Sequence, residues 1–111
     1  NMVNVGYPLI VARIDGLDAG GLRNAWDILR GRMPEPGACV IGTINNDKPV
    51  LMAAATDEAV AAGFNAGNVI KAIAGNIKGG GGGKPTMAQA GGKDAAGIDA
   101  ALDAARELLA K

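Results

Sequence analysis

Residues 78–92 read KGGGGGKPTMAQAGG, and this stretch organises the interpretation of the whole chain. Five consecutive glycines, residues 79–83, are flanked by Lys78 and Lys84. Glycine has no Cβ, so its backbone adopts positive φ easily and can lie close to another surface. Successive N–H groups in such a turn can point into one concavity that binds an anion, and the two lysines add positive charge beside it. The stretch therefore predicts a loop that contacts phosphate groups.

The same glycine run allows a second interpretation, a flexible linker. However, it contains no serine, and it continues directly into Pro85 and a segment of alternating small and large residues at 86–90. A functional loop is therefore the preferred interpretation. The run is not a P-loop of the nucleotide-binding type, because that motif requires Ser or Thr after the lysine and Pro85 stands there.

The motif at residues 79–92 resembles the signature of the C-terminal globular domain of alanyl-tRNA synthetase, also called the DHH-associated domain. That pattern is a glycine run, Arg or Lys, Pro, any residue, Met-Ala, Gln or a similar residue, and a closing glycine pair. The matching positions are Lys84, Pro85, Met87, Ala88, Gln89, Gly91 and Gly92. The order of predicted elements also matches this family from about residue 6 to residue 109, so the resemblance covers nearly the whole chain.

Length and charge fit one small domain over residues 1–111. Acidic and basic residues number 11 each, so the formal net charge is zero and no overall field indicates a nucleic acid. The distribution is uneven, because residues 59–93 contain no acid and four lysines, namely Lys71, Lys78, Lys84 and Lys93. This asymmetry predicts a local basic patch, the alternative being solvated lysines in a chance gap between acids.

The chain has no histidine and one cysteine, Cys39. The absence of histidine excludes a Ser-His or Cys-His catalytic arrangement, a His-bearing zinc site and a His general base. A single cysteine excludes an internal disulfide and fits a reducing compartment, and its place in an apolar run predicts a buried thiol. No apolar run approaches the roughly 18 residues of a membrane span. No signal peptide is recognisable, and because the first residue is Asn1 we expect a part of a longer chain.

Hydrophobic periodicity predicts the element order β-α-β-β-α-β-α. That order is an α/β sandwich of two or three layers, with a mixed sheet of three to four strands and three main helices. Strands are predicted at residues 7–14, 38–44, 49–55 and 86–90, a short helical start at 57–63, and main helices at 18–32, 66–77 and from 94 onward. The middle strands are apolar on both faces, so helices should cover at least part of both sides of the sheet.

Helix ends are predicted from capping residues. The candidate N-caps are Asp18, Asn65 and Asp94. Gly79 is the expected stop of the second main helix. The arginines off the apolar stripe of the first helix are interpreted as a solvated face, and they are Arg23, Arg30 and Arg32. The glycine loop at 79–83 joins the second main helix to the last strand, so it should lie at an edge or end of the sheet.

The resemblance implies a function that composition alone does not reach. In alanyl-tRNA synthetases this domain is not catalytic and contacts the tRNA elbow, where the D and T loops meet, so that the aminoacylation and editing modules share one tRNA. The parent enzyme that the resemblance implies is an ATP-dependent alanine–tRNA ligase of the cytoplasm. The implied partners are an alanine-accepting tRNA, the rest of a synthetase chain and a second copy in a homodimer, with no cofactor, metal or membrane for this domain.

The contacts implied by the motif are made to phosphate and sugar by lysines and backbone N–H groups, which read shape rather than sequence. The predicted nucleic-acid-binding residues are Lys78, Gly79, Gly80, Gly81, Gly82, Gly83, Lys84 and Gln89, with Lys71, Asn76 and Lys93 as supporting contacts. One position departs from the family pattern, because Asn65 stands where relatives often carry histidine before Ala-Gly. The role of that side chain is left open.

Two other classes stay open. DHH-family phosphoesterases carry a similar domain that grips a nucleotide or the end of an oligonucleotide, but its glycine run is followed by histidine. Lys84 occupies that position here, and the chain lacks histidine and an Asp-rich metal motif. The other class is a dimerisation module that uses the apolar stripe of the last helix, for which simple packing on the sheet is the preferred interpretation. That stripe consists of Ile98, Ala101, Leu102, Ala105, Leu108 and Leu109.

Overall fold

A mixed sheet of six strands, in the order β1-β2-β3-β4-β6-β5, forms the centre of the computed structural model. The structure describes residues 2–4, 8–32, 37–45 and 47–109. The strands are β1 (Met2–Asn4), β2 (Pro8–Arg13), β3 (Ala38–Asn45), β4 (Lys48–Ala55), β5 (Gly80–Lys84) and β6 (Met87–Gly91). The described pairs are antiparallel except β2 with β3, which run parallel. A parallel pair needs a crossover connection, and a helix between these strands supplies it.

Helices cover both faces of this sheet. They are α1 (Ala19–Arg32), α2 (Asp57–Ala61), α3 (Ala66–Ile73) and α4 (Ile98–Leu109), with 3₁₀ turns at Ala74–Ile77 and Ala95–Gly97. On one face, Leu22 and Trp26 of α1 pack with residues of β3 and β4 in one buried cluster. On the other face, α3 and α4 pack in a larger cluster that also includes β2 and β6. The predicted α/β sandwich is therefore confirmed in its three-layer form.

The central strands β3 and β4 are buried on both faces because helices pack on each face of the sheet. The first six residues of β3 and the last five of β4 are buried without interruption. Along β3, Val40 belongs to the cluster under α3 and α4, whereas Cys39 and Ile41 belong to the cluster under α1. The buried hydroxyl of Thr43 accepts a hydrogen bond from the backbone N–H of Leu17 at 3.1 Å. Near-continuous apolar runs were the signal for this double coverage, and that prediction is confirmed.

Two strands were not predicted. One is β1, a three-residue strand that pairs with β2. The other is β5, which consists of Gly80–Lys84 and is therefore most of the glycine run itself. The prediction of a loop at 79–83 was wrong, and so was the count of three to four strands. Glycine is a weak strand former, but here β6 supplies a partner along the whole of β5. Tyr7 and the predicted loop residues 33–36 lie outside the described residues.

Two of the three predicted N-caps are confirmed. Asp18 Oδ1 accepts a hydrogen bond from the Gly21 N–H at 2.7 Å, and Asn65 Oδ1 accepts one from the Asn68 N–H at 3.0 Å. Asp94 makes no side-chain capping bond; it precedes a 3₁₀ turn, Ala95–Gly97, that leads into α4.

The end of the second main helix also differs from the prediction. The α-helical part, α3, ends at Ile73, and the chain continues as a 3₁₀ turn to Ile77. The left-handed residue that stops this turn is Lys78, with φ 53°, rather than Gly79. No helix in the described ranges has the length and apolar content needed to cross a bilayer.

Candidate nucleic-acid interface

The glycine strand β5 is one edge of the sheet. It pairs with β6 in an antiparallel register that places Gly80 opposite Gly91, Gly82 opposite Gln89 and Lys84 opposite Met87. No described strand lies on its other side. An edge strand presents unpaired backbone N–H and C=O groups. Because four of its five residues have no side chain, these groups are open to a ligand along about 13 Å of strand.

The glycines of this edge fall into two alternating sets. A Cβ built at Gly79, Gly81 or Gly83 would overlap backbone atoms of β6 or of Gly92, which follows β6. A Cβ at Gly80 would meet nothing within 4 Å, and a Cβ at Gly82 would meet only a lysine methylene group at 3.4 Å. The first set therefore allows β5 to lie against β6. The second set is not required by packing and leaves the outer backbone uncovered.

Helix α3 holds the far end of β5 in place. A Cβ at Gly67, in the first turn of α3, would lie 2.9 Å from the carbonyl oxygen of Gly83, so glycine is needed for this close approach. The backbone N–H of Ala66 donates to the carbonyl oxygen of Pro85 at 2.9 Å. Asn65 caps the same turn through its side chain. The structural role of Asn65 is thus to start the helix on which the glycine strand rests.

Three of the predicted lysines surround β5. Lys78 is exposed and stands directly before the strand, Lys84 is exposed at its end, and Lys71 is exposed on α3. The Lys71 side chain reaches the strand, because its Cε is the atom 3.4 Å from the Cβ position of Gly82. Within the described ranges, no carboxylate forms an ion pair with any of the three, so their charges are available to an anion.

The supporting residues Lys93 and Asn76 lie near the first residue of β5. Lys93 is exposed, and its N–H donates to the carbonyl oxygen of Ile77 at 2.9 Å, so it lies beside the turn that carries Lys78. Asn76 is exposed in the same 3₁₀ turn. The structure therefore places Lys78 and Lys93 at one end of β5, Lys84 at the other, and Lys71 beside its middle residue Gly82. It brings together the basic residues that the charge distribution singled out.

Gln89 is not an exposed contact on the edge. It is half-buried on β6, and its Nε2 atom is buried with no hydrogen-bond partner in the described part of the chain. Residues along a strand alternate between faces, so Gln89 shares the α1 side with Met87, which packs against the cluster under α1. The side chain borders a groove of about 550 Å³ whose lining residues are Arg23, Gly82, Gly83, Lys84, Thr86, Met87, Ala88 and Gln89.

Arg23 is the residue of this groove that sequence reasoning missed. Its position off the apolar stripe of α1 predicted a solvated face. It is exposed, but it also forms the α1 wall of the groove, and no described carboxylate pairs with it. The signal that could have found it is its spacing from Trp26. Residues three apart in a helix are neighbours, so Arg23 lies one turn from the side chain that anchors α1 to the sheet.

A second pocket of about 390 Å³ adjoins this groove and has the opposite charge. It is lined by Trp26, Ala55, Thr56, Asp57, Glu58, Thr86 and Met87. Thr86 and Met87 border both spaces, so the surface passes from donors at Arg23 and Lys84 to carboxylates at the start of α2. No group of three acidic, histidine or cysteine side chains suited to a metal ion occurs among the described residues.

The ion pairs of Arg13 and Arg106 lie elsewhere in the described chain. Arg13, at the end of β2, donates to Asp15 at 2.9 Å and to Asp99 at 3.0 Å, and Arg106 donates to Asp103 at 2.7 Å. The bond from Arg13 lowers the pKa of Asp15 below its usual value. Arg13 ends β2, and Arg106 also donates to the backbone carbonyl oxygen of Val11 in β2, a strand that is remote from β5 in the strand order. Cations near β5 thus remain unpaired while those near β2 are neutralised.

Comparison with known proteins agrees with this architecture. The DHHA1 domain model matches residues 6–111, and the chain belongs to the DHHA1 domain family. The "Alanine--tRNA ligase" of Herpetosiphon aurantiacus is 47% identical over 104 residues, and the match covers 94% of this chain and 12% of that protein. The "Alanine--tRNA ligase 1" of Lachnoclostridium phytofermentans is 47% identical over 106 residues, with the same shares. The chain thus spans 12% of the length of these relatives.

A solved structure has the same fold. The crystal structure of the C-Ala domain from Aquifex aeolicus alanyl-tRNA synthetase superposes with a TM-score of 0.82 at 28% identity. The superposition covers 100% of this chain and 96% of that one. The resemblance predicted from the motif at residues 79–92 is therefore confirmed at the level of family and of fold.

Proposed function

We propose that this chain is a non-catalytic tRNA-binding domain of an alanyl-tRNA synthetase. The observation that carries the proposal is the open glycine edge β5 with unpaired lysines at both of its ends. Exposed N–H groups and lysines are the donors that proteins use for phosphate and sugar oxygens. Such contacts read the shape of the RNA rather than its sequence. The relatives are named as alanine–tRNA ligases, which supports tRNA as the RNA that is bound.

The proposed target on tRNA is the elbow, where the D and T loops meet. A domain that grips the elbow leaves the acceptor end free to visit active sites elsewhere in the same cytoplasmic enzyme. Aminoacylation and editing modules can then share one bound tRNA. We expect no catalysis by this chain alone and no cofactor, since the proposed contacts to RNA need only backbone N–H groups and lysines.

The proposal is tested by binding of the chain to a tRNA transcript across a salt series. When binding depends on phosphate contacts, log Kd rises linearly with the logarithm of the salt concentration. The loss of one lysine contact should reduce the slope of this line by about 1. Lys84→Glu and Lys78→Glu should each weaken binding about tenfold or more. Lys48→Glu is the matched control for Lys84→Glu, since Lys48 is exposed at the start of β4, and the register places that end of β4 by Gly91 of β6 rather than by Met87, which pairs with Lys84. Absence of wild-type binding at low salt would contradict the proposal.

The phosphoesterase-like alternative makes a different prediction for the same assay. A domain that grips the end of an oligonucleotide should bind an isolated acceptor-stem hairpin as tightly as the whole tRNA. The proposed elbow contact requires that the hairpin bind much more weakly. Comparing the two RNAs therefore separates a contact with the elbow from a contact with the end.

A homodimer through α4 is a separate proposal. Most of the α4 stripe is buried on the sheet, including Ile98, Ala101, Leu102 and Ala105. Simple packing therefore accounts for it, and among the α4 side chains whose burial the structure describes, Leu108, which is 40% exposed, is the large apolar one that remains available. Sedimentation at increasing concentration tests the dimer, and a strict monomer at high concentration would contradict it.

A further inference from the structure

The face of β6 that carries Gln89 is open beside the glycine edge. Helix α1 packs on β3 and β4, and the α1 side of the sheet beyond β4 forms the groove described above. Met87 and Gln89 supply side chains of β6 to this groove, while Gly82 and Gly83 supply bare backbone of β5. Its volume of about 550 Å³ is in the range of sites that hold a small molecule or one nucleotide unit.

The chemistry of the groove is asymmetric. Arg23 on one wall and Lys84 on the other are cations without a described carboxylate partner. Guanidinium groups bind phosphate with two parallel hydrogen bonds, so Arg23 suits a phosphate oxygen pair. Met87 contributes a polarizable thioether, a group that makes favourable contacts with flat aromatic rings. The two cations can therefore bind the phosphate of a nucleotide while Met87 contacts its base.

Gln89 adds a polar group that lacks a partner. A buried N–H donor without an acceptor is unfavourable, and buried polar side chains in proteins are nearly always hydrogen-bonded. The amide of Gln89 borders the groove, and its Nε2 is unpartnered in the described structure. An acceptor on a bound base would satisfy it after a small rotation of the side chain.

The adjoining pocket limits how much RNA the groove can take. Asp57 and Glu58 line that pocket directly beyond Thr86 and Met87. Their charges repel a second phosphate in the same direction. The occupant is therefore one nucleotide, and the RNA on either side of it must continue along β5 rather than along the sheet face.

We propose that this groove binds one unstacked nucleotide of RNA, with its base against Met87 and Gln89 and its phosphate at Arg23 and Lys84. The inference rests on the proposed function, because it assumes that RNA lies along β5. Beyond that function, the inference states that the chain binds an unpaired nucleotide on the side of the sheet that carries α1, and that Arg23 is one of the binding residues.

The test uses Arg23→Glu and Gln89→Leu with three probes: a tRNA transcript, a short single-stranded oligouridine, and a blunt RNA duplex of the same length. Arg23→Glu and Gln89→Leu should each weaken binding of tRNA and of oligouridine at least about fivefold, the low end of what one base contact contributes. Duplex binding should change by less than about twofold in Gln89→Leu, and Arg23→Glu should weaken it less than it weakens oligouridine, because a reversed charge acts on any nearby polyanion whereas the base contact is lost only for the single strand. Lys48→Glu is the control for a reversed charge. Fluorescence of Trp26, the single tryptophan and a neighbour of Met87 in the adjoining pocket, should respond to oligouridine in the wild type.

Each outcome supports or overturns the inference. If tRNA binding is lost in Lys84→Glu but unchanged in both Arg23→Glu and Gln89→Leu, the nucleotide site is wrong and the proposed function stands. If Arg23→Glu weakens duplex and oligouridine equally, Arg23 is a general phosphate contact and the unstacked nucleotide is wrong. If the wild type binds no RNA, both proposals fail.

Discussion

The five consecutive glycines are not equivalent residues. Gly79, Gly81 and Gly83 are required because the backbone of the neighbouring strand occupies the space of a side chain. Gly80 and Gly82 have room for one. If bare backbone at these two positions is what RNA contacts, their identity reflects binding and the identity of the other three reflects packing.

A matched pair of alanine substitutions tests this distinction. Gly81→Ala should lower the free energy of unfolding by about 1–3 kcal/mol, because the new methyl group overlaps Gln89 and Ala90 and must displace β6. Gly80→Ala should be neutral or stabilising by up to about 1 kcal/mol, since alanine reduces the entropy of the unfolded chain. Urea unfolding of both variants measures the difference. Equal losses in the two variants would show that the alternation is wrong.

At the scale of elements, α3 is the support of the interface. It is eight residues long, and it depends on its cap and on its contacts with the sheet because so short a helix is marginal by itself. The Asn65 cap, the hydrogen bond from Ala66 to Pro85 and the close approach of Gly67 to Gly83 all act on its first turn.

Removing the cap should therefore destabilise the protein measurably. Asn65→Ala is expected to lower the free energy of unfolding by about 1 kcal/mol, because the Asn68 N–H loses its acceptor. Asn65→Ser keeps a good cap and should stay within about 0.5 kcal/mol of the wild type. Thermal or urea unfolding checks both values. A loss as large for serine as for alanine would indicate a role for Asn65 other than capping.

Most elements were predictable because their patterns are local. Burial on both faces requires near-continuous apolar runs, which identified β3 and β4, and the stripes of α1, α3 and α4 follow from helical spacing. β5 was not predictable in this way. Nothing in GGGG specifies a strand, and its conformation depends on β6 and on Gly67 of α3, which are contacts distant in sequence. The missed 3₁₀ turn before α4 likewise follows from packing, because Gly97 lies against Asn76.

The candidate site was predictable in part for a similar reason. The gap in acidic residues identified the lysines around β5 from the sequence alone, and the family motif drew attention to Gln89. Arg23 lies outside both the acid-free segment and the motif, and its spacing from Trp26 gives only its place on α1, because the fold brings α1 and β6 together at the groove. The partly buried state of Gln89 was also missed, since the motif specifies an amino acid and not the face of the sheet on which it lies.

At the scale of the whole molecule, the sheet separates two apolar clusters, one under α1 and one under α3 and α4. The cluster under α1 contains Cys39, which is fully buried. Burial raises the pKa of the Cys39 thiol to about 12 from an ordinary value of 9.0. A raised pKa in the folded state means that this contribution to stability is complete below pH 9.0 and is lost as the pH rises toward about 12.

The variant Cys39→Ala should show this pH dependence as a change in the stability difference between wild type and variant. At neutral pH the variant is expected to be less stable than the wild type by about 1 kcal/mol, because it loses buried volume. As the pH is raised above 9.0, the wild type should lose this advantage, since only its unfolded state gains a thiolate. Urea unfolding of both proteins at neutral pH and at alkaline pH gives the comparison. A constant difference would mean that the Cys39 thiol ionises equally well in both states.

The open edge at β5 has a further consequence for the protein in the absence of RNA. Uncovered strand edges are the places where two molecules join their sheets and begin to aggregate, and natural proteins guard such edges with charged side chains, especially lysine. Four of the five residues of β5 are glycines, so the charged side chains that hinder sheet-to-sheet pairing at this edge are those of Lys71, Lys78 and Lys84. The same positive charges that attract a polyanion therefore keep like molecules apart, and colloidal solubility and RNA affinity are linked properties of one surface.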